Sequence, residues 1–376
     1  MTITVPEASE YELDVLPPDE QEVEEAVDFE GEFFYPVEYS ITSYGADYPV
    51  DSLVNRLNAG AILIPKFQRS FVWNIYRASR FIESLLLGLP VPAIFFSKEV
   101  DSNRLLVIDG QQRLKTLQFF YKGVFEPGDR AFKLKGVHRR FRDKTYETLH
   151  DDDRLRLDDS IIHAIIVRQE EPKEHEQPGG PTSIYHIFQR LNTGGVLLQP
   201  QEIRSCICHG SFIDLLEDLN ADAHWRTLFG KVSTRMRDRE LILRFFALIY
   251  ESEAYSKPMN EFLTRFAYAH RNVDSQGATE FRERFVSTAR TIHESIGDKA
   301  FKLKAAVNAA LCDAVMVGVA TRLQQGPIID PSQLKAHYDE LLRNLRFRET
   351  ISSGTTDDAN VTDRLRLARQ AFGSVR

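Results

Sequence analysis

Residues 108–113 read IDGQQR, placing a carboxylate, two amides and a guanidinium (Asp109, Gln111, Gln112, Arg113) around Gly110 within five positions. The apolar run Leu105, Leu106 and Val107 precedes them. The helical stripe Leu114, Leu117, Tyr121 follows, so the motif sits where a strand becomes a helix. A glycine there lets the backbone approach a bound group, the first helical N–H groups lack intrahelical partners, and an arginine adds a bidentate cation. This is a phosphate-binding design. One Arg–phosphate contact is worth about 1.5–3 kcal/mol, which makes Arg113 the expected anchor and Gly110 the point of approach. Asp109 is the candidate ligand for a metal ion or a water beside the phosphates, with Gln111 and Gln112 orienting one or the other.

Two other stretches combine polar groups with aromatic or glycine neighbours. IPKFQRSFVW places Gln68 and Arg69 among aromatics, and LNTGG places Asn192 and Thr193 beside two glycines at a helix end. Each has a plainer account: Phe67, Phe71 and Trp73 seal a core, and NTGG caps a helix. If the fold gathers all three junctions, they line one cleft.

Residues 130–144, RAFKLKGVHRRFRDK, carry seven Lys or Arg against one acid. Such a run is either a solvated face or a nucleic-acid contact. In the second reading Arg139, Arg140, Arg142 and Lys144 neutralise phosphates, and Phe132 and Phe141 stack on bases. The DDD at 151–153 reads as a loop cluster, either hydrated or holding a divalent ion. Cys206, Cys208 and His209 lack a second ligand cluster, so buried small side chains account for them better than a metal site does.

The elements that must position these groups follow from periodicity. Asp51 is placed to cap a short helix carrying Leu53, Val54 and Leu57, and AILI reads as a strand. Asn74 caps a helix whose face is Ile75, Ala78, Ile82, Leu85 and Leu86, stopped by Gly88 and Pro90. AIFF and RLLVI form a hairpin whose second strand delivers the motif. IIHAIIV reads as a buried strand with His163 in the core, and the charged, Pro- and Gly-containing EEPKEHEQPGGP marks a domain boundary. A helix with the face Ile184, Ile187, Phe188 and Leu191 comes next. Further helices are expected at about 200–209, 211–219, 238–251, 258–271, 278–295, 300–325, 332–346 and 361–371, most of them amphipathic and packed as a bundle. The fold class is α+β: an α/β domain over 41–175, then an all-α domain over 182–376.

At 376 residues and 43% hydrophobic, the chain can bury a substantial core, and its apolar runs are too short to span a bilayer. Three cysteines fit a reducing compartment, and a cytoplasmic location is expected. The net charge of -8 is uneven. Residues 1–40 hold thirteen acids and no Lys or Arg, leaving 42 acids against 47 bases in a mildly basic body. That tail reads as disordered, serving solubility or competing with nucleic acid for the basic body.

Taken in order, IPKFQRSFVW, FIESLLLGLPVPAIFF, VIDGQQRLKTL, IFQRLNTGGVLLQPQEIR and RDRELILRFFAL resemble the N-terminal domain of GmrSD-type modification-dependent restriction proteins, also catalogued as domain of unknown function 262. The resemblance covers roughly residues 50–250. It implies a small α/β core similar to the ParB and sulfiredoxin group. It also implies that Asp109–Arg113 bind and hydrolyse a nucleoside triphosphate with Mg²⁺, that Phe67, Gln68 and Arg69 lie near that cleft, and that Asn192–Gly195 are a further family mark. The activity it implies serves defence against foreign, often modified, DNA. Gln111 stands where sulfiredoxins carry a cysteine, which excludes thiol-based reduction. Only His337 occurs in residues 300–376, so a His-rich nuclease module is missing and a nuclease is expected to act in trans. The competing readings are a non-catalytic nucleotide- or DNA-binding module and a Mg²⁺-dependent DNA nickase using Asp109.

Overall fold

A computed structural model describes residues 23–24, 41–64, 71–98, 104–126, 128, 130–169 and 199–375. The chain divides into one unit of residues 30–219 and 242–283 and another of residues 1–29, 220–241 and 284–376.

The first unit is built on a five-stranded mixed sheet. A short strand elsewhere in the chain, β1 (Val23–Glu24), precedes it. The sheet comprises β2 (Ile41–Pro49), β3 (Ile62–Leu63), β4 (Ile94–Lys98), β5 (Leu105–Asp109) and β8 (Ile161–Gln169), in the order β2-β8-β4-β5-β3. Strands β4 and β5 pair antiparallel, as the hairpin reading expects, and β4 runs parallel to β8. Alternation sets the faces: Ile94, Phe96, Leu105, Val107, Ile162, Ala164 and Ile166 enter the main core, while Leu106, Ile108 and Val167 are buried from the opposite face. Near-complete burial of β5 explains why its sequence shows no polar alternation until Asp109.

His163 departs from the core expectation. Its alternation places it outward, 70% exposed at the side chain, against Asp47 Oδ1 on β2 at 2.5 Å. An uninterrupted apolar run had concealed that period of two.

The helices α1 (Val50–Asn58), α2 (Ile75–Leu86), α3 (Gln111–Lys122) and α4 (Asp151–Asp158) pack into this core, together with Phe132, Leu134, Val137, Phe141 and Leu149 of the segment between α3 and α4. In α1 the N-cap is Pro49, not Asp51, which instead lies in the first turn and favours the positive end of the helix dipole. Asn74 caps α2 as expected, its Oδ1 accepting from Arg77 N at 2.9 Å. Small antiparallel strands β6 (Val124–Phe125) and β7 (Arg130–Ala131) follow α3.

The triple aspartate is the first turn of α4 and not a loop. His150 is the cap, and all three acids complement the helix N-terminus. Tyr121 and Tyr146 stack at 4.1 Å and both donate to Asp158, which ties the end of α3 to α4. Burial beside that carboxylate drives the Tyr121 phenol well above its ordinary range.

The same unit holds helices Pro200–Ile207 and Met259–Ala269, with Phe212 packing against the rings of Phe246, Phe266 and Phe281. The helix expected around 182–191 and the expected boundary segment lie outside the described residues.

In the second unit β1 pairs in parallel with β9 (Val307–Asn308), so Val23 and Glu24 of the acidic segment form a strand; the rest of that segment lies outside the described residues. Helix Ala309–Leu323 is buried almost all round and not amphipathic, which makes it the hub of this unit. It begins at 309 and not 300, because Asn308 accepts from Leu311 N at 2.8 Å and caps it there. Its Asp313 meets Arg364 of helix Asp358–Gly373 at 2.8 Å with both side chains essentially inaccessible. An unexpected helix, Ala223–Phe229, forms because Asp222 caps it and Trp225 packs on Phe285 and Phe301. Among the described residues no helix is long and apolar enough to cross a membrane.

Candidate functional site

The IDGQQR segment is the junction its sequence suggests. Strand β5 ends at Asp109 and α3 starts at Gln111, with Gly110 between them at φ 101° and ψ 7°. Only glycine fits, since a Cβ there would lie 2.9 Å from Ile94 Cγ1. The turn is therefore pressed onto the first residue of β4.

Arg113 is placed differently from a ready phosphate anchor. It is buried, its Nη1 donates to the carbonyls of Pro92 (2.5 Å) and Ala93 (3.1 Å), and its Nη2 donates to Asp109 Oδ2 at 2.7 Å. One planar guanidinium thus ties the end of β5 to the entry of β4. Burial draws its pKa down against the opposing pull of Asp109. Asp109 keeps 40% of its side chain exposed, leaving a fixed carboxylate at the mouth of α3.

Gln112 is also a brace. Its Oε1 accepts from Val72 N at 3.0 Å and Trp73 N at 3.3 Å, pinning the chain that follows the FQR segment to the first turn of α3. Phe71 packs edge-on to Phe119 of α3 and Phe125, which confirms the core-sealing account for that ring. Gln68 and Arg69 themselves, like Asn192 and Thr193, lie outside the described residues. Within the described part, two of the three sequence segments meet.

Lys115 escaped the sequence reading. It is half-buried one turn beyond Gln111, and burial lowers its ammonium pKa against the pull of Glu126. A lysine four residues after a polar helix start was the available signal, and Leu114 and Leu117 obscured it.

Segment 130–144 wraps onto α2. Lys135 N donates to Ser79 Oγ at 2.9 Å and His138 N to Glu83 Oε1 at 2.6 Å. Phe132 and Phe141 are buried, so the expected base-stacking role of these two rings is overturned: they anchor the loop in the core. The cations divide. Arg140 grips the buried Asp153 through Nε (3.0 Å) and Nη2 (2.5 Å), so it fastens the loop to α4. Lys135 pairs with Asp143. Arg139, Arg142 and Lys144 are exposed and make no ion pair among the described residues.

Cys208 is buried and donates to Thr264 O at 3.8 Å, with its thiol pushed up to about 12 by burial. That makes it an inert packing group. Among the described residues no group of three or more His, Cys, Asp or Glu could hold a metal.

Residues 50–208 match the family described as the GmrSD restriction endonuclease, N-terminal domain. The match runs from α1 to the helix ending at Ile207 and includes the whole β5–α3 junction. No curated protein matches the chain. The similarity points to a restriction or defence setting.

Proposed function

We propose, from a segment similar to the GmrSD N-terminal domain, that this protein binds and hydrolyses a nucleoside triphosphate with Mg²⁺ at the β5–α3 junction. In this reading it senses DNA through the 130–144 loop and works with a separate nuclease in a restriction or anti-phage system. The observation that carries the reading is the Asp109 carboxylate, 40% exposed and fixed by a buried Arg113 beside a left-handed glycine turn at a helix start.

The donor set suits Mg²⁺, which keeps several waters and takes one or two carboxylates together with substrate phosphates. When bound, the ion would neutralise charge on the phosphates. Asp109 is the protein ligand for it. In this reading a phosphate oxygen would be met at the start of α3, whose orientation is set by the close packing of Gly110 on Ile94. Lys115, where burial already penalises the charge, is the nearby cation that a phosphate would stabilise. Gln111, at the first helical position, orients water, while Arg113 and Gln112 hold Asp109 and the 71–73 segment in place.

Phosphate release should be measured for all four triphosphates with Mg²⁺, with and without modified DNA. Asp109→Asn is expected to lower turnover by roughly a hundredfold or more with little change in unfolding temperature. Wild-type protein that releases no phosphate under any of these conditions sinks the hydrolytic reading.

A further inference from the structure

The buried Phe132 and Phe141 leave the basic loop without the stacking rings that its sequence suggests. An exposed ring does stand at its edge. Tyr76, near the start of α2, is 57% exposed, and a Cβ built on Gly136 of the loop would lie only 2.8 Å from Tyr76 Cδ1. Gly136 has φ +65°, so a side chain there is disfavoured by the backbone as well as by the ring. The edge of the ring at Cδ1 thus rests against bare backbone, while the ring meets solvent.

Both elements that meet at the ring carry exposed cations. Arg80 follows Tyr76 by one helical turn on the same face, is exposed and makes no ion pair among the described residues. Arg139 and Arg142 of the docked loop are likewise exposed without ion pairs. Val72, 60% exposed and four residues before Tyr76, lies on the segment that Gln112 pins to α3. A phosphate-neutralising surface that presents one exposed aromatic ring, held at its edge, fits a nucleic-acid strand with an accessible base.

We infer that Tyr76 is a stacking platform for an unpaired DNA base, with Arg80, Arg139 and Arg142 contacting the flanking phosphates. The occupant is single-stranded or locally unpaired DNA, because a base inside an intact duplex has both faces covered. This rests on the DNA-sensing reading and names the strand form that the surface takes. The platform also lies at the end of a short covalent and hydrogen-bonded path, Tyr76 to Trp73 to Gln112, that leads to the nucleotide junction.

The test is fluorescence anisotropy with a labelled oligonucleotide, presented as a single strand and as its duplex, over a salt series. Tyr76→Ala should weaken single-strand binding about five- to a hundredfold and duplex binding much less, while Tyr76→Phe retains wild-type affinity. Arg80→Ala should weaken both forms and reduce the salt slope by about one. If wild-type protein binds DNA and Tyr76→Ala matches it, or loses single strand and duplex equally, the platform is overturned and DNA sensing stands. If wild-type protein binds neither form, the DNA-sensing reading itself fails.

Discussion

The β5–α3 junction and the 130–144 loop use the same residue types in opposite directions. At the junction Arg113 and Gln112 turn inward: one holds Pro92, Ala93 and Asp109, the other holds Val72 and Trp73. In the loop the aromatics turn inward and most of the arginines turn out, with Arg140 on Asp153 as the inward exception. Polar density in a sequence therefore marks two different devices. One uses its strongest groups to fix a weaker one, and the other uses its apolar groups to present charge.

The contrast breaks most readily at Arg113. Replacing it with alanine leaves two carbonyls and a carboxylate without their donor. Stability should fall by about 2–4 kcal/mol, seen as a lower denaturant midpoint, and nucleotide turnover should be lost with it. Arg113→Lys should recover only part, since an ammonium on a flexible stem does not reproduce a planar fork. An unchanged midpoint would return Arg113 to the role of phosphate anchor that its sequence position suggests.

Gly110→Ala comes next. The backbone conformation and the contact with Ile94 together should cost about 1–3 kcal/mol and weaken nucleotide binding. A variant of wild-type stability would show that the turn relaxes easily and that close packing on β4 is not what shapes the site.

Smaller effects divide the loop's arginines. Arg139→Ala combined with Arg142→Ala should reduce the salt slope of duplex DNA binding by about two while leaving the unfolding midpoint in place. Arg140→Ala should do the reverse: the slope changes little, and stability drops by about 0.5–1 kcal/mol, because water around the exposed arginine screens its pair with Asp153. Equal slopes for both variants would erase the distinction between outward and inward cations.

Much of this was legible in advance where the cause is local. The Asn74 cap, the β4–β5 hairpin and the strand-to-helix position of Gly110 each depend on a few neighbouring residues. The misreadings share a different origin. Asp151–Asp153 look like a loop until His150 is seen to cap a helix. Phe132 and Phe141 look available for stacking until the core that receives them is known. His163 looks buried because its outward face is set by pairing with β2. Tyr76 was hidden in an amphipathic pattern whose exposed face carries no signal of its own.

The sequence by itself determined the similarity to a restriction-type domain, the order of strands and helices through most of the chain, and the place where the glycine-hinged strand-to-helix junction forms. It did so because glycine geometry, caps and hydrophobic period act over a few residues. Tertiary structure alone decided what each polar group is occupied with. Arg113 finds its acceptors 20 and 21 residues earlier and Gln112 its donors 39 and 40 residues earlier, and no local pattern reports such partners.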